Sequence, residues 1–219
     1  MYLSISGFVA LLSISCLFSG RPAPSGQEDW VFKKEKDQVK IYTKRMANGM
    51  TAVKLTASAQ ATLSGVVQLF SDVDDYGQWG YKMLEAKLVQ RKSLYEHHYY
   101  AKFDFPWPLA DRDIVLHSVM SQDANTKTVS YDNKAVIGLV AEQKGVVRIT
   151  EAQTQWRFHA PKNGWMYLEQ YVYSDPGGDI PGWATDFAIN AGPVETIKGI
   201  RNRLQAERYQ QAKLGHVLE

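Results

Sequence analysis

The chain has 219 residues, of which 45% are apolar and 22% charged, and its formal net charge at pH 7 is +2. This length and apolar content allow a single domain with a sizeable hydrophobic core. The basic residues are spread along the sequence and form no run, which argues against a nucleic-acid-binding arm. We therefore expect one globular domain with no nucleic-acid partner.

The first 26 residues differ in kind from the rest of the chain. Residues 1–19 carry no charged side chain, and their apolar run is followed by small and helix-breaking residues at 21–26. This pattern is typical of a secretory signal peptide, although the basic n-region is missing and the run is just long enough to span a bilayer as an uncleaved anchor. Cys16, the only cysteine, is either lipidated or a bystander in a discarded signal. We expect export to the periplasm or beyond, with cleavage, anchoring and lipidation all open.

The predicted elements then come as short strands, a helix, many strands and a final helix. Strands are predicted at 39–42 and 51–57, a helix at 63–73, and six further strands at 82–92, 94–105, 112–121, 126–136, 145–159 and 165–174. Many consecutive strands between two helical segments favour an antiparallel sheet with helices on one face. The predicted class is therefore α+β.

The alternation within two of these strands predicts which face is buried. In 94–105 the odd positions, including Tyr99, point inward, and in 145–159 the even positions, including Trp156, do so. By the same count Arg148 points inward, where a buried guanidinium needs a partner or a ligand. The alternative is an ordinary ion pair near the edge of the sheet.

The last predicted element is a long amphipathic helix that begins near Trp183. Its apolar residues recur at helical spacing, so that Trp183, Phe187 and Val194 share one stripe. Proline inside a helix removes a hydrogen bond, so Gly192 and Pro193 are predicted to kink or divide this helix. Such a helix either closes a cavity with its aromatic face or simply packs on the sheet.

The segment Phe-Pro-Trp-Pro-Leu at 105–109 interrupts the strands. Its two prolines lack the N–H groups that a sheet ladder needs, so we predict a loop rather than a central strand. Trp107 and Leu109 are expected to expose apolar surface there, and indole rings favour the water–bilayer boundary. The alternative is that Trp107 fills the core.

The sequence contains no motif typical of an enzyme or a metal site. The histidines lack the spacing of a zinc site, and there is no Gly-x-Ser-x-Gly elbow, glycine-rich phosphate loop or Cys-x-x-Cys pair. The segment 72–74 is similar to the start of a calcium loop, but Met83 stands where the loop needs an acid. We expect no metal, no cofactor and no catalytic residue.

Two motif blocks and several single residues stand in an order that is found in a known family. These are Trp30, Asp72, Trp79, the block Pro106–Asp113, Gly145–Arg148, Trp156 and the block Asp175–Trp183. Together they resemble the START domains, the lipid-transfer domains related to the steroidogenic acute regulatory protein. The resemblance covers residues 28–213 and leaves 214–219 as a tail. It implies a helix-grip fold, in which a curved antiparallel sheet wraps around the C-terminal helix and encloses a tunnel for one lipid.

The resemblance and the strand alternation together indicate which residues contact the lipid. We predict ligand-binding side chains at Tyr99, Phe103, Leu116, Arg148, Trp156, Phe158, Trp183, Phe187 and Val194, and a gate at Trp107, Leu109, Gly192 and Pro193. Arg148 is expected to bind a phosphate or carboxylate through its guanidinium. Some sterol-binding members carry an acidic residue and an arginine where this chain has Tyr99 and Ser118, so the ligand need not be a sterol.

The function that these observations favour is the binding of one apolar ligand without catalysis. We expect a monomer that contacts a membrane transiently when it takes up lipid. The first alternative is an enzyme of the cyclase or dehydratase type on a related scaffold, in which Tyr99, His97 or Arg148 polarises the substrate. The second alternative is a regulatory domain that senses lipid and binds a protein partner.

Overall fold

The computed structural model of the protein describes residues 30–178, 180–181 and 191–219. The predicted signal segment and the predicted site residues Trp183 and Phe187 lie outside these ranges. Within them, no helix has the length and apolar character that crossing a membrane requires.

The described residues form one antiparallel sheet with helices packed on one of its faces. The strands are β1 (Val31–Lys36), β2 (Val39–Arg45), β3 (Thr51–Gln60), β4 (Met83–Arg91), β5 (Glu96–Phe103), β6 (Asp111–Gln122), β7 (Val129–Ala135), β8 (Val146–Arg148), β9 (Glu151–Phe158) and β10 (Trp165–Asp175). The helices are α1 (Leu63–Ser71), a 3₁₀ helix (Val73–Gln78), α2 (Gly192–Arg203) and α3 (Glu207–Gln210). The sheet order is β1-β2-β3-β10-β9-β7-β6-β5-β4, with β8 parallel to β6. The predicted α+β class and curved antiparallel sheet are confirmed.

The face of the sheet that packs on the helices, here called the inner face, carries the main core. Its centre is an aromatic cluster around Phe70 of α1. The ring centroid of Phe70 lies 5.1 Å from that of Tyr131, 5.3 Å from that of Trp156 and 5.0 Å from that of Phe158. Because such edge and offset contacts add to the burial of large apolar surfaces, this cluster fixes α1 on the sheet.

Helix α1 begins at a site where two different oxygens satisfy its free N–H groups. The Thr62 hydroxyl accepts an N–H from the first turn at 3.0 Å. The carboxylate of Glu219 accepts the N–H groups of Leu63 at 3.1 Å and Ser64 at 2.8 Å. A carboxylate is favourable at the positive end of a helix, so the segment predicted as a tail is docked on the domain.

Helix α2 approaches the chain after the 3₁₀ helix very closely. It buries Val194, Ile197 and Ile200 on one side. A Cβ atom built on Gly199 would stand 2.3 Å from the carbonyl oxygen of Trp79, which is far below van der Waals contact. The absence of a side chain at this position is what allows the helix to lie so close.

The start of α2 coincides with the break that the sequence predicts. The helix begins at Gly192, and Pro193 stands in its first turn, where a missing N–H removes no intrahelical bond. Residues 182–190, on which the predicted upstream part of the helix falls, lie outside the described residues. The kink itself therefore stays a prediction.

Two strand predictions differ from the structure. Strand β1 was not predicted, because its Val-Phe-Lys-Lys-Glu-Lys sequence is largely exposed and shows no alternation of burial. The single strand predicted at 145–159 is wrong, since β8 ends at Arg148 and β9 starts at Glu151. The interruption matters because the two pieces pair with different neighbours, β8 with β6 and β9 with β7 and β10.

Candidate functional site

Most of the predicted ligand-binding residues that the structure describes lie on the inner face. The side chains that are buried within one contiguous apolar core are Tyr99, Leu116, Trp156, Phe158 and Val194, and Phe103 packs against that core while partly exposed. The ring of Trp156 stacks on that of Phe158, with centroids 5.8 Å apart. Burial raises the pKa of Tyr99, so its phenol is neutral at physiological pH.

An apolar cleft of 540 Å³ lies beside the start of α2. Its lining residues are Arg45, Gly49, Met50, Thr51, Val53, Phe105, Ile149, Val172, Ser174, Asp175, Pro176, Gly178, Ile180 and Pro193. Of the predicted site residues that the structure describes, Pro193 alone belongs to this lining. The remaining residues of the lining were not predicted, because they come from the ends of several elements. Val53 and Val172, for example, are brought opposite each other only by the register of strands β3 and β10.

Arg148 does not point inward, and that prediction is wrong. Its Nε lies 2.7 Å from Oδ1 of Asp113, and one terminal nitrogen lies 3.0 Å from Oδ2. A further nitrogen donates to the carbonyl of Val140. The pair is buried on the outer face, beside Tyr100 and beneath the loop before β8. The hydrogen bonds that Arg148 donates to Asp113 raise the pKa of Arg148, and the guanidinium is already fully engaged.

A different arginine, Arg112, lies on the inner face and links the two motif blocks. It donates to the carbonyls of Ala110 at 2.5 Å, Pro176 at 3.4 Å and Gly177 at 3.3 Å, and it lies over the ring of Phe105. Burial lowers its pKa. Neither adjacent aspartate pairs with it, because neighbouring residues in a strand point to opposite faces. Arg112 thus holds the loop before β6 against the loop after β10.

Polar side chains also lie on the inner face, among the apolar ones. His97 of β5 stands opposite Ser118 of β6, and Asn133 of β7 stands opposite Thr154 of β9, donating to its hydroxyl at 2.9 Å. Burial, and then the charge of Arg91, lower the pKa of His97 to about 4, so the imidazole is neutral at pH 7. Within the described ranges no cluster of three or more His, Cys, Asp or Glu side chains could hold a metal ion.

The segment between β5 and β6 is a loop, as predicted. Trp107 is 90% exposed, and Leu109 is half-buried. The N–H of Leu109 donates to the carbonyl of Pro106 at 3.1 Å, which closes a turn. The alternative that Trp107 fills the core is therefore wrong.

The cations near the end of α2 are engaged within the domain. Arg201 donates to backbone carbonyls of β3 and of the turn between β1 and β2. Arg203 and Arg208 both pair with Asp75. The side chains of Lys198 and Arg208 nevertheless remain 45% and 44% exposed, and Lys198 pairs with Glu195 of the same helix.

Comparison with known proteins agrees with this architecture. An uncharacterized protein of Pseudomonas aeruginosa is 30% identical over 177 residues, which is 80% of this chain and 86% of that protein. The phosphatidylcholine transfer protein of Mus musculus is 21% identical over 195 residues, covering 84% of this chain and 87% of its own length.

A solved structure shows the same fold. The STAR-related lipid transfer protein from Xanthomonas axonopodis superposes with a TM-score of 0.73 at 24% identity, over 81% of this chain and 99% of that one. The START domain family model matches residues 21–210, which is most of the sequence. The resemblance drawn from the two motif blocks is confirmed, and the chain belongs to the START domain family.

Proposed function

We propose that this START domain binds a lipid between the inner face of its sheet and helix α2, and that it carries or senses this lipid without changing it chemically. The observation that carries the proposal is the apolar cleft of 540 Å³ beside the start of α2. Its volume falls within the range of roughly 300–1,000 Å³ of ligand sites in proteins. The similar proteins named for phosphatidylcholine transfer and lipid transfer support it.

The proposed route of entry passes between the loop at 106–110 and the start of α2. Phe105, directly before this loop, and Pro193, in the first turn of α2, both line the cleft. The exposed indole of Trp107 is suited to the boundary between water and a bilayer. We infer that the loop touches a membrane while lipid passes into the cleft.

The test of binding uses a variant that fills the cleft. Val172→Trp places an indole where the lipid is proposed to lie, and Val119→Trp makes the same change on the outer face of β6, at a partly exposed site. After gentle purification, native mass spectrometry should find one lipid on the parent chain and on Val119→Trp, and none on Val172→Trp. Equal lipid retention by all three proteins would contradict the proposed site.

The enzymatic alternative is favoured by one observation, the buried imidazole of His97 on the same face as Tyr99. A lipid carried without chemistry should be recovered unaltered after long incubation with the protein. Reproducible conversion of the recovered lipid, abolished by His97→Ala or Tyr99→Phe, would place the enzymatic function first.

A further inference from the structure

A row of polar side chains crosses the inner face of the sheet. His97 is the register partner of Ser118, Ser118 of Asn133, and Asn133 of Thr154, on the adjacent strands β5, β6, β7 and β9. Directly opposite residues share a face and have their Cβ atoms about 4.5–5.5 Å apart. The four side chains therefore form one continuous row, here called the inner row.

The inner row leads from the interior of the domain to the cleft. Thr154 is the register partner of Val172 in β10, and Val172 is that of Val53 in β3. Both valines line the cleft. A lipid whose tail lies against these valines can therefore direct its polar end along the row toward His97.

The row has unused hydrogen-bonding capacity. His97, Ser118 and Asn133 are only 3%, 2% and 5% exposed. Nε2 of His97 is buried and has no hydrogen-bond partner among the described residues. A buried polar atom without a partner has lost its hydrogen bonds to water without replacement, so native proteins rarely leave one unless a ligand or a water molecule satisfies it.

A second unpartnered nitrogen belongs to the same part of the core. Nε1 of Trp79 is also buried without a hydrogen-bond partner among the described residues. The ring of Trp79 contacts Tyr76 at 4.7 Å, Tyr76 contacts Tyr99 at 5.3 Å, and Tyr99 contacts His97 at 5.8 Å between centroids. Two unpartnered nitrogens thus occur in one chain of contacting rings.

The charges around the row favour an uncharged ligand group. Arg91, the register partner of His97 at the sheet edge, is exposed and donates to the carbonyl of Ser71 at 3.0 Å. Arg112, the cation at the other end of β6, is held by three backbone carbonyls. Arg91 is therefore the described cation that acts on His97, and it is solvated and already engaged, while the middle of the row at Ser118 and Asn133 has no charged register partner, so an anion placed there would lose its hydration with little compensation.

We propose, on the basis of the lipid-binding function proposed above, that the inner row binds an uncharged hydrogen-bonding group of the lipid, such as a hydroxyl, with His97 as its main contact. The chain then selects lipids that carry a free hydroxyl over those in which that group is methylated or phosphorylated. A hydroxyl both donates and accepts, so it satisfies Nε2 of His97 in either tautomer.

The test compares three probes of equal chain length, namely a long-chain alkanol, its methyl ether and its phosphate monoester. Isothermal titration of the full chain should show the alkanol binding at least about tenfold more tightly than either derivative, as one buried hydrogen bond allows. In His97→Leu the preference for the alkanol over the ether should fall to within about twofold, while affinity for the ether is kept. His97→Gln, which can still hydrogen-bond, should retain the preference.

His98→Leu is the matched control, because His98 is the next residue of β5, is 7% exposed and also has a buried ring nitrogen, Nδ1, without a hydrogen-bond partner among the described residues, but it faces the outer side, where it stacks on His117. It should keep the full preference. The nitrogen resonance of His97 Nε2 should also shift on addition of alkanol, and that of His98 should not.

The outcomes separate the two proposals. Binding of all three probes with equal affinity, or a preference for the alkanol over the ether that survives in His97→Leu, would overturn the inner row as the hydroxyl site and leave lipid binding intact. We would expect such a result if a water molecule, rather than the lipid hydroxyl, forms the hydrogen bond to Nε2 of His97 in the bound state. Failure of every probe to bind would overturn the proposed lipid-binding function and the inner row with it.

Discussion

The two ends of helix α2 are held in different ways. At its C-terminal end Arg203 donates to Asp75 at 2.5 and 2.6 Å, and from α3 Arg208 and the hydroxyl of Tyr209 reach the same carboxylate at 2.7 and 2.9 Å. At its N-terminal end the N–H of Tyr81 donates to the hydroxyl of Thr196 over a long 3.4 Å, and the remaining contacts described for that end are apolar, with Val194 buried in the core and Pro193 in the lining of the cleft.

This difference indicates where the domain can open. A helix that is fixed by charge-assisted hydrogen bonds at one end and by apolar contact with a cleft at the other moves most easily at the second end. Pro193 lines the cleft at that end. We therefore infer that the C-terminal end of α2 stabilises the domain and that its N-terminal end moves when the ligand passes.

The largest expected effect comes from the same substitution made at both ends. Gly199→Ala forces a Cβ to within 2.3 Å of the Trp79 carbonyl oxygen and should lower the free energy of unfolding by about 2–3 kcal/mol. Gly192→Ala meets, among the described residues, only a ring carbon of Tyr81 at 3.8 Å and should be neutral or stabilising by about 0.5 kcal/mol. Denaturant unfolding gives the free energy of unfolding of both variants. Equal losses of stability would contradict the proposed difference between the two ends of the helix.

The second expected effect tests the carboxylate that holds the C-terminal end. Asp75→Ala leaves Arg203, Arg208 and Tyr209 without their shared acceptor and should cost about 2 kcal/mol, less than a fully buried pair because the arginines are partly exposed. Asp74→Ala, at the adjacent exposed position, should change the free energy of unfolding by under about 0.5 kcal/mol. A loss of similar size in both variants would show that the arginines do not rely on Asp75.

Acid should weaken the domain in two separable steps. Burial by itself would raise the pKa of Asp75, but hydrogen bonds from Arg203, Tyr209 and Arg208 outweigh it and hold that pKa below its ordinary value. The ionised carboxylate of Asp75 therefore contributes to the free energy of unfolding above about pH 4, and this contribution is lost as the pH falls further. His97, with a pKa lowered to about 4, binds protons more readily in the unfolded chain, so stability also falls between about pH 6.5 and 4.

The variants assign these two steps. Asp75→Asn should remove the pH dependence below about pH 4, and His97→Phe should remove the dependence between about pH 6.5 and 4, which for a pKa lowered to about 4 amounts to about 3 kcal/mol. Unfolding free energies measured across this range give the answer. If His97→Phe left the upper step unchanged, the imidazole would not be the group that titrates there.

The smallest effect on stability is expected at the loop beside the N-terminal end. Trp107→Ala removes a side chain that is 90% exposed and should alter the free energy of unfolding by under about 0.5 kcal/mol. It should nevertheless slow lipid transfer between vesicles more than it weakens affinity for bound lipid, and Leu109→Ala should act in the same direction. Ile137→Ala, at a 70% exposed site on another loop, is the control. Transfer at the parental rate in both loop variants would place the gate elsewhere.

Sequence periodicity predicts the strands of the sheet and the direction of side chains within a continuous strand. Tyr99 and Trp156 are buried inward as the alternation indicates, and the two prolines beside Trp107 correctly indicate a loop. These features depend on neighbours along the chain. They can be predicted because a period of two and the missing proline N–H groups act locally.

Features that depend on strand register could not be predicted in this way. The interruption at 149–150 reverses the direction of Arg148, and its partner Asp113 lies on another strand. The inner row joins His97, Ser118 and Asn133, which are separated by 21 and 15 positions in the chain and meet only through pairing. No local pattern contains that information, since a shift of one residue in any strand would scatter the row.

The exposure of Trp107 also gives the domain an optical reporter of its surroundings. Trp79 and Trp156 are enclosed in the core, whereas Trp107 stands in water at the tip of its loop. Indole emission shifts to shorter wavelength when the ring leaves water for hydrocarbon, and the enclosed rings have little solvent to lose. Trp165 is also 49% exposed, so the part of the fluorescence change on mixing with vesicles that is lost in Trp107→Phe reports on this one loop, and no dye has to be attached to follow it.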